Sequence, residues 1–442
     1  MTTHRDKPSQ RPRKPIPAKQ PAATAAKPIS PARVAAFEIL TQTVANKGNS
    51  DDLLHSAHTA KLSPEDRNLA TTLVMGTLRW QIALDARIQA LLQRPDQRLA
   101  EPVALALRLG IFQLLHLDRI PPHAAINESV ELARASGNPH AAGMVNAVLR
   151  KVVSSKPQGR PLHESIASFS QRLGHPQWLV ERWVATHGRA VAIKICEADQ
   201  AEPGEPVLFA AGSDASLPQI DDGSRLVAEL AAAAAPQAAR IWDACAAPGG
   251  KTLLLAHRLP AAEIMASDVS LRRLAAMRTR FEHFAQAANV RIEQADATEA
   301  PAALDNFDLI LCDVPCTGTG TLARNPEIRH RLTPAEISRQ ATRQQKILSA
   351  ALLRLAPGGR LLYSTCSLES EECEQVVEAV TSKLESKAGI RHLSLDPVLG
   401  QLKSSGRLQQ ELLSAIRGNF LRTLPGTHPG DGFFAALFER TA

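Results

Sequence analysis

No C-x-x-C pair occurs in this chain of 442 residues, and six cysteines are too few for a disulfide scaffold at that length. Cys312 and Cys316 are separated by three residues and Cys366 and Cys373 by six, spacings that do not suit a zinc site, so no metal is expected. Aromatic residues make up only 4%, with Tyr363 the single tyrosine, which argues against a broad stacking surface for bases. No run is long and apolar enough to span a membrane. The N-terminus lacks the apolar core of a signal peptide, so the cytoplasm is the expected compartment. A G-x-G-x-x-G spacing is missing. Gly250-Lys251-Thr252 invites a nucleotide-triphosphate reading, but a P-loop needs glycine six residues before the lysine, where this chain has Cys245, and that disfavours an ATPase.

What remains is a globular composition, 44% hydrophobic, long enough for two or three domains. The net charge of +7 is concentrated at one end. Residues 1–30 hold seven basic side chains against Asp6 alone, a net of +6, which leaves +1 for everything else. Six prolines share that segment, so a disordered basic tail is expected, either a solubility tail or a source of sequence-independent attraction to phosphates.

From 31 to 153 the apolar spacing is helical, as in 67–78 and 105–117, with Ser63 reading as an N-cap and Pro64 as the first helical residue. An all-helical domain of roughly six or seven helices follows from the pattern. Residues 154–235 read as a linker, beginning at Ser154-Ser155-Lys156-Pro157-Gln158-Gly159, and a small connecting domain with a helix over 173–187. From 236 to 442 strand-like and helix-like segments alternate, the mark of an α/β domain with a mainly parallel sheet. Strands are expected at 240–244, 263–267, 290–293, 309–312 and 360–364, and helices at 271–287 and 334–355. The stretch 381–418 is left unplaced.

Two cysteines stand out by position. Cys316 ends Asp313-Val314-Pro315-Cys316 and opens the loop Thr317-Gly318-Thr319-Gly320, and Cys366 lies in Ser364-Thr365-Cys366-Ser367. Free cysteine is often a small buried hydrophobe, as expected for Cys312. Cys316 and Cys366 instead lie just past apolar strands, where open α/β sheets bind ligands. A thiolate there suits addition to an electron-poor heterocycle, with Asp313 near enough to hydrogen-bond the ring. After the first strand, Cys245-Ala246-Ala247-Pro248-Gly249-Gly250-Lys251-Thr252 supplies small residues that let backbone approach a ligand. Asp268, after the second strand, is placed to accept ribose hydroxyls, and Asp296, after the third, to meet an adenine. Alone, each aspartate reads more simply as a helix-end charge or a turn former. Three acidic positions after successive strands, Asp268, Asp296 and Asp313, favour one nucleoside cofactor along the sheet edge.

These motifs, with the terminal Asp431-Gly432-Phe433-Phe434, resemble bacterial RNA 5-methylcytosine methyltransferases. The helical region resembles a NusB-like RNA-binding domain, carried by Arg119-Ile120-Pro121-Pro122-His123-Ala124-Ala125-Ile126-Asn127-Glu128 and Gly143-Met144-Val145-Asn146-Ala147-Val148-Leu149-Arg150. The resemblance covers about 31–160 and 221–442, and the basic tail lies outside it. Where relatives carry an Arg-x-Asn stretch, this chain reads Glu205-Pro206-Val207-Leu208-Phe209-Ala210-Ala211.

The resemblance implies a Rossmann-like class I methyltransferase domain using S-adenosylmethionine, with Cys245 to Lys251, Asp268, Asp296 and Asp313 at the cofactor. It implies Cys366 as the nucleophile that adds to C6 of a cytosine, Cys316 as the group that prompts product release, and Arg324 near the RNA. Asp313 would hydrogen-bond the base edge. The implied partner is 16S ribosomal RNA, acted on by a monomer. An enzyme of this kind acting on another RNA, such as tRNA or 23S ribosomal RNA, is the nearest alternative, and a non-catalytic NusB-like antitermination factor is the alternative of a different class.

Overall fold

The computed structural model describes residues 28–94, 97–155, 164–209, 220–299 and 306–441. Residues 1–27 of the expected tail, the linker residues 156–163, and 210–219 lie outside the described residues.

The N-terminal region is helical, as its spacing predicts: α1 (Pro31–Val44), α2 (Ser50–Leu54), α3 (Pro64–Leu91), α4 (Glu101–His116), α5 (Pro122–Ala135) and α6 (Ala142–Ser154). Ser63 caps α3 by accepting the Asp66 N–H, with Pro64 supplying a first turn that needs no donor. α4 lies at the centre, with Leu105, Leu107, Leu109 and Ile111 all fully buried or nearly so. Buried Arg108 on the same helix reaches out to Asp85 Oδ1 at 2.6 Å and Glu101 Oε1 at 2.6 Å.

The next segment forms α7 (Ile166–Arg172), α8 (Gln177–His187) and α9 (Arg189–Gln200). The helix expected over 173–187 is interrupted at its start. Gly174 takes φ +67, and Pro176 follows, so α8 begins only at Gln177. A side chain at Gly174 would also meet the Arg79 carbonyl at 2.9 Å. Phe169, Leu179 and Trp183 of this segment share a core with Leu322, Leu332 and Leu368 of the α/β region.

The sheet comprises β1 (Arg240–Asp243), β2 (Glu263–Asp268), β3 (Val290–Gln294), β4 (Phe307–Asp313), β5 (Leu355–Thr365), β6 (Ile390–Leu393), β7 (Ile416–Arg417), β8 (Phe420–Arg422) and β9 (Phe434–Arg440). Their order is β3-β2-β1-β4-β5-β9-β8-β7, with β6 also pairing β9. The first five run parallel and β9 antiparallel to β5. The alternation of strand side chains divides two cores. Leu309, Leu311 and Leu362 face α10 (Asp222–Ala234), α11 (Gly250–Arg258) and, further along, α16 (Asp396–Ser404). Ile310, Cys312, Leu361 and Tyr363 face α14 (Pro334–Leu352) and α15 (Glu374–Ala388). α12 (Leu271–Phe281) packs Leu274 and Met277 on Leu253 and Ala266. Residue 355, expected to end a helix, and 356–359, which lie between that helix and the expected strand, already belong to β5, because Leu355 pairs with Phe307.

The short helix α13 (Ile328–Arg331) joins the halves. Its buried Arg329 donates to the carbonyls of Arg79 and Gly174, and His330 Nε2 lies 2.7 Å from the Leu78 carbonyl. Among the described residues, no helix is long and apolar enough to cross a membrane.

Candidate active site

Parallel pairing aligns Asp313 of β4 with Ser364 of β5. Cys316 is three residues past the first and Cys366 two past the second, and their sulfurs lie 3.2 Å apart, either one able to donate. Both are partly buried, whereas Cys312, Cys373 and Cys196 are fully enclosed. The contact from Cys316 and then burial push the Cys366 thiol well above its ordinary range.

The loop after β4 is held by backbone contacts that leave no room for a side chain. Gly320 donates to the Cys366 carbonyl at 2.8 Å, and Gly432 donates to the Gly320 carbonyl at 2.8 Å. A Cβ on Gly320 would sit 2.3 Å from the Gly432 oxygen. The Asp431-Gly432 turn thereby clasps both cysteine loops. Arg324 is half-exposed and paired through Nε with Asp431 Oδ2 at 2.7 Å.

Beside the thiols opens a cavity of about 340 Å³ lined by Cys245, Ala247, Asp268, Asp296, Asp313, Cys316 and Cys366. Ala246, Pro248 and Gly249 in the β1–α11 loop, and Gly250 and Lys251 in the first turn of α11, do not line it. Gly249 is held at φ +95, and a side chain there would strike Phe281. Lys251 turns its amine to Asp313 Oδ2 at 2.7 Å. Burial works against its charge, but Asp313 together with Asp221 and Asp243 outweighs it and raises the lysine. The other Asp313 oxygen accepts the Ser364 hydroxyl at 2.8 Å. Asp243, just before the loop, is fully buried on the Thr252 hydroxyl at 2.6 Å, and burial raises its carboxyl to about 7.

Asp268 Oδ1 accepts the Ser270 N–H and Arg273 Nη2, each at 2.8 Å. Asp296 Oδ1 accepts the Thr298 N–H and hydroxyl, bonds that lower its carboxyl. The structure thus brings Cys245, Ala247, the three aspartates and both thiols to one cavity and keeps Arg324 on the Asp431 turn. The sequence reading omitted Arg273, Asn325, Arg343 and Ile347, which also line it. Arg343 and Ile347 are one helical turn apart on α14, a signal readable only once that face is known to meet the cavity.

Residues 231–439 match the family described as 16S rRNA methyltransferase RsmB/F, and residues 30–154 match the NusB family. A ribosomal RNA small subunit methyltransferase B from Xanthomonas campestris is 33% identical over 93% of this chain and 97% of its own. The chain belongs to the RsmB/F family. A probable methyltransferase of the same description from Bacillus subtilis is 30% identical over 92% of this chain and 98% of its own. The crystal structure of PH0851 shares the fold, with a TM-score of 0.66 and 20% identity over 94% of this chain and 100% of that one.

Members of this family are methyltransferases dependent on S-adenosylmethionine, and the residues present fit that molecule. Three carboxylates at successive strand ends can meet hydroxyl and amino groups, and Ala247, Val269, Ala297 and Ile347 supply the apolar wall a flat heterocycle needs.

Proposed function

We propose that the protein methylates C5 of a cytosine in 16S ribosomal RNA through a transient bond between Cys366 Sγ and C6. The observation that carries this reading is the pair of thiols 3.2 Å apart in one cavity with the Asp313 carboxylate. The names of the relatives support the ribosomal target.

C5 of cytosine is too weak a nucleophile to be methylated directly. Attack of the Cys366 thiolate on C6 turns the ring into an enamine with electron density at C5. Asp313, steadied by Lys251 and Ser364, hydrogen-bonds the N3 and N4 edge and shares a proton with N3 as its basicity rises. S-adenosylmethionine, when bound, supplies the methyl group from a sulfonium whose positive charge also favours the thiolate. Loss of the C5 proton to a base then lets the S–C6 bond break, and Cys316, in contact with Cys366, prompts that elimination. Cys245, Ala246, Ala247, Pro248, Gly249, Gly250, Lys251, Asp268 and Asp296 serve the cofactor, and Arg324 the RNA. The target base must leave its stack to reach a recessed thiol.

Methyl transfer from labelled S-adenosylmethionine to unmodified 16S RNA tests the reading. Cys366→Ala is expected to be inactive, and Cys316→Ala to trap an RNA adduct that survives denaturation. An adduct in Cys366→Ala would reverse the two roles, and none in either variant would overturn the covalent route.

A further inference from the structure

Glu372 is fully buried one short loop beyond Cys366. Its neighbours in the acidic run reach cations: Glu369 and Glu371 pair with Arg182, and Glu374 with Arg422. Glu372, among the described residues, takes neutral donors instead. Its Oε1 accepts the Thr317 N–H at 2.9 Å and Gln344 Nε2 at 3.0 Å. Its Oε2 accepts the Ser367 hydroxyl at 2.5 Å and the Thr317 hydroxyl. Those donors occupy the four acceptor directions of a carboxylate.

Two of the donors are the residues immediately after the thiols: Thr317 follows Cys316, and Ser367 follows Cys366. Gln344 extends the same hold to the other side of Cys316, since its Nε2 also donates to the Pro315 carbonyl at 2.9 Å. Burial raises the Glu372 carboxyl, the Ser367 and Thr317 bonds opposing it. An acid enclosed without a cation costs stability, so a core built for packing alone would not need one here.

We infer that Glu372 is a positioning residue that sets the two thiols against each other, holding Cys366 through one arm, Ser367, and Cys316 through another, Thr317, the two hydroxyls also lying 3.3 Å apart. The inference rests on the covalent reading above. Loosening the Ser367 arm then affects attack, and loosening the Thr317 arm affects release.

Single-turnover assays with labelled S-adenosylmethionine and 16S RNA, followed by denaturing gels, separate the two steps. Thr317→Val should slow release roughly tenfold and enlarge the share of RNA held as adduct. Ser367→Ala should slow adduct formation by about the same factor and shrink that share. Glu372→Gln keeps a carbonyl toward the two N–H donors but turns a donor toward both hydroxyls, and should slow both steps. A role in stability alone would lower turnover in all three with the adduct share unchanged, and that outcome overturns the inference, as does a Glu372→Gln enzyme equal to the parent. Cys316→Ala run alongside keeps the two ideas apart. If it traps no adduct, the cysteine assignment fails; if it traps one while the Thr317 and Ser367 variants leave the share unmoved, the role of Glu372 fails.

Discussion

In the helical region the buried guanidinium of Arg108 ends on two carboxylates, Asp85 and Glu101, whereas in the α/β region the buried acids Asp243 and Glu372 end on hydroxyls and amides. The first arrangement gives its acids a cation partner, although burial still raises Asp85; the second gives Asp243 and Glu372 no ion pair among the described residues, and burial raises both. The tolerated cost falls at the carboxyl ends of β1 and β5, around the cavity and the thiols. A helical scaffold can satisfy its charges locally; a site has to hold groups where chemistry needs them.

The largest expected effect that sharpens this contrast is a pH dependence at Asp243. Its carboxyl titrates at about 7 in the folded protein against about 3.9 in an unfolded chain. Between those values the folded state keeps a proton that the unfolded state has released, so stability falls as pH rises from about 4 to about 7 and levels off above. Relative to Asp243→Asn, which cannot titrate, the parent should lose roughly 2 to 3 kcal/mol between about pH 5 and pH 7 in urea unfolding. Parallel curves for the two proteins would show that Asp243 does not titrate there. Next in size is Arg108→Ala, which strands Asp85 and Glu101. It should cost about 2 kcal/mol, less than a wholly enclosed pair because both acids are partly exposed. Methyl transfer per folded molecule should stay at the parent level; a loss there would break the division between scaffold and site. Smallest is Ser63→Ala, which removes the α3 cap and should cost about 1 kcal/mol, read as a lower thermal midpoint.

The legible parts of this molecule were those with local causes. The positions of the five parallel strands β1 to β5, though not of β6 to β9, the Ser63 cap and the location of Cys316 and Cys366 past two strands follow from periodicity and motif. Buried Cys312 could be told from Cys316 because one lies inside an apolar run and the other beyond it. The break at Gly174 has local signals, the glycine itself and Pro176 two residues on, which the expectation of a helix over 173–187 passes over; only the Arg79 carbonyl that excludes a side chain there is distant. The Lys251–Asp313 pair joins the first turn of α11 to the end of β4, a meeting that depends on the pairing of β1 with β4 and that neither residue announces alone. Glu372 was hidden for a different reason. Among Glu369, Glu371 and Glu374 it reads as one more solvated acid, and the approach of Thr317 from another loop and Gln344 from α14 distinguishes it. The helix α10 belongs to the sheet's core through Leu226, Val227 and Leu230, although its alanine-rich end reads in sequence merely as the close of a connecting segment.

The position of β9 has a consequence for synthesis. Chain order puts it after every other strand, yet it lies inside the sheet, against β5 on one side and β8 and β6 on the other. A nascent chain therefore exposes both thiols while the strand that seats the Cys366 side of the sheet is still being translated. Gly432, which latches the Gly320 loop, emerges only just ahead of that strand. Until some seventy residues beyond Cys366 have left the ribosome, the two thiols exist without the strand that frames them.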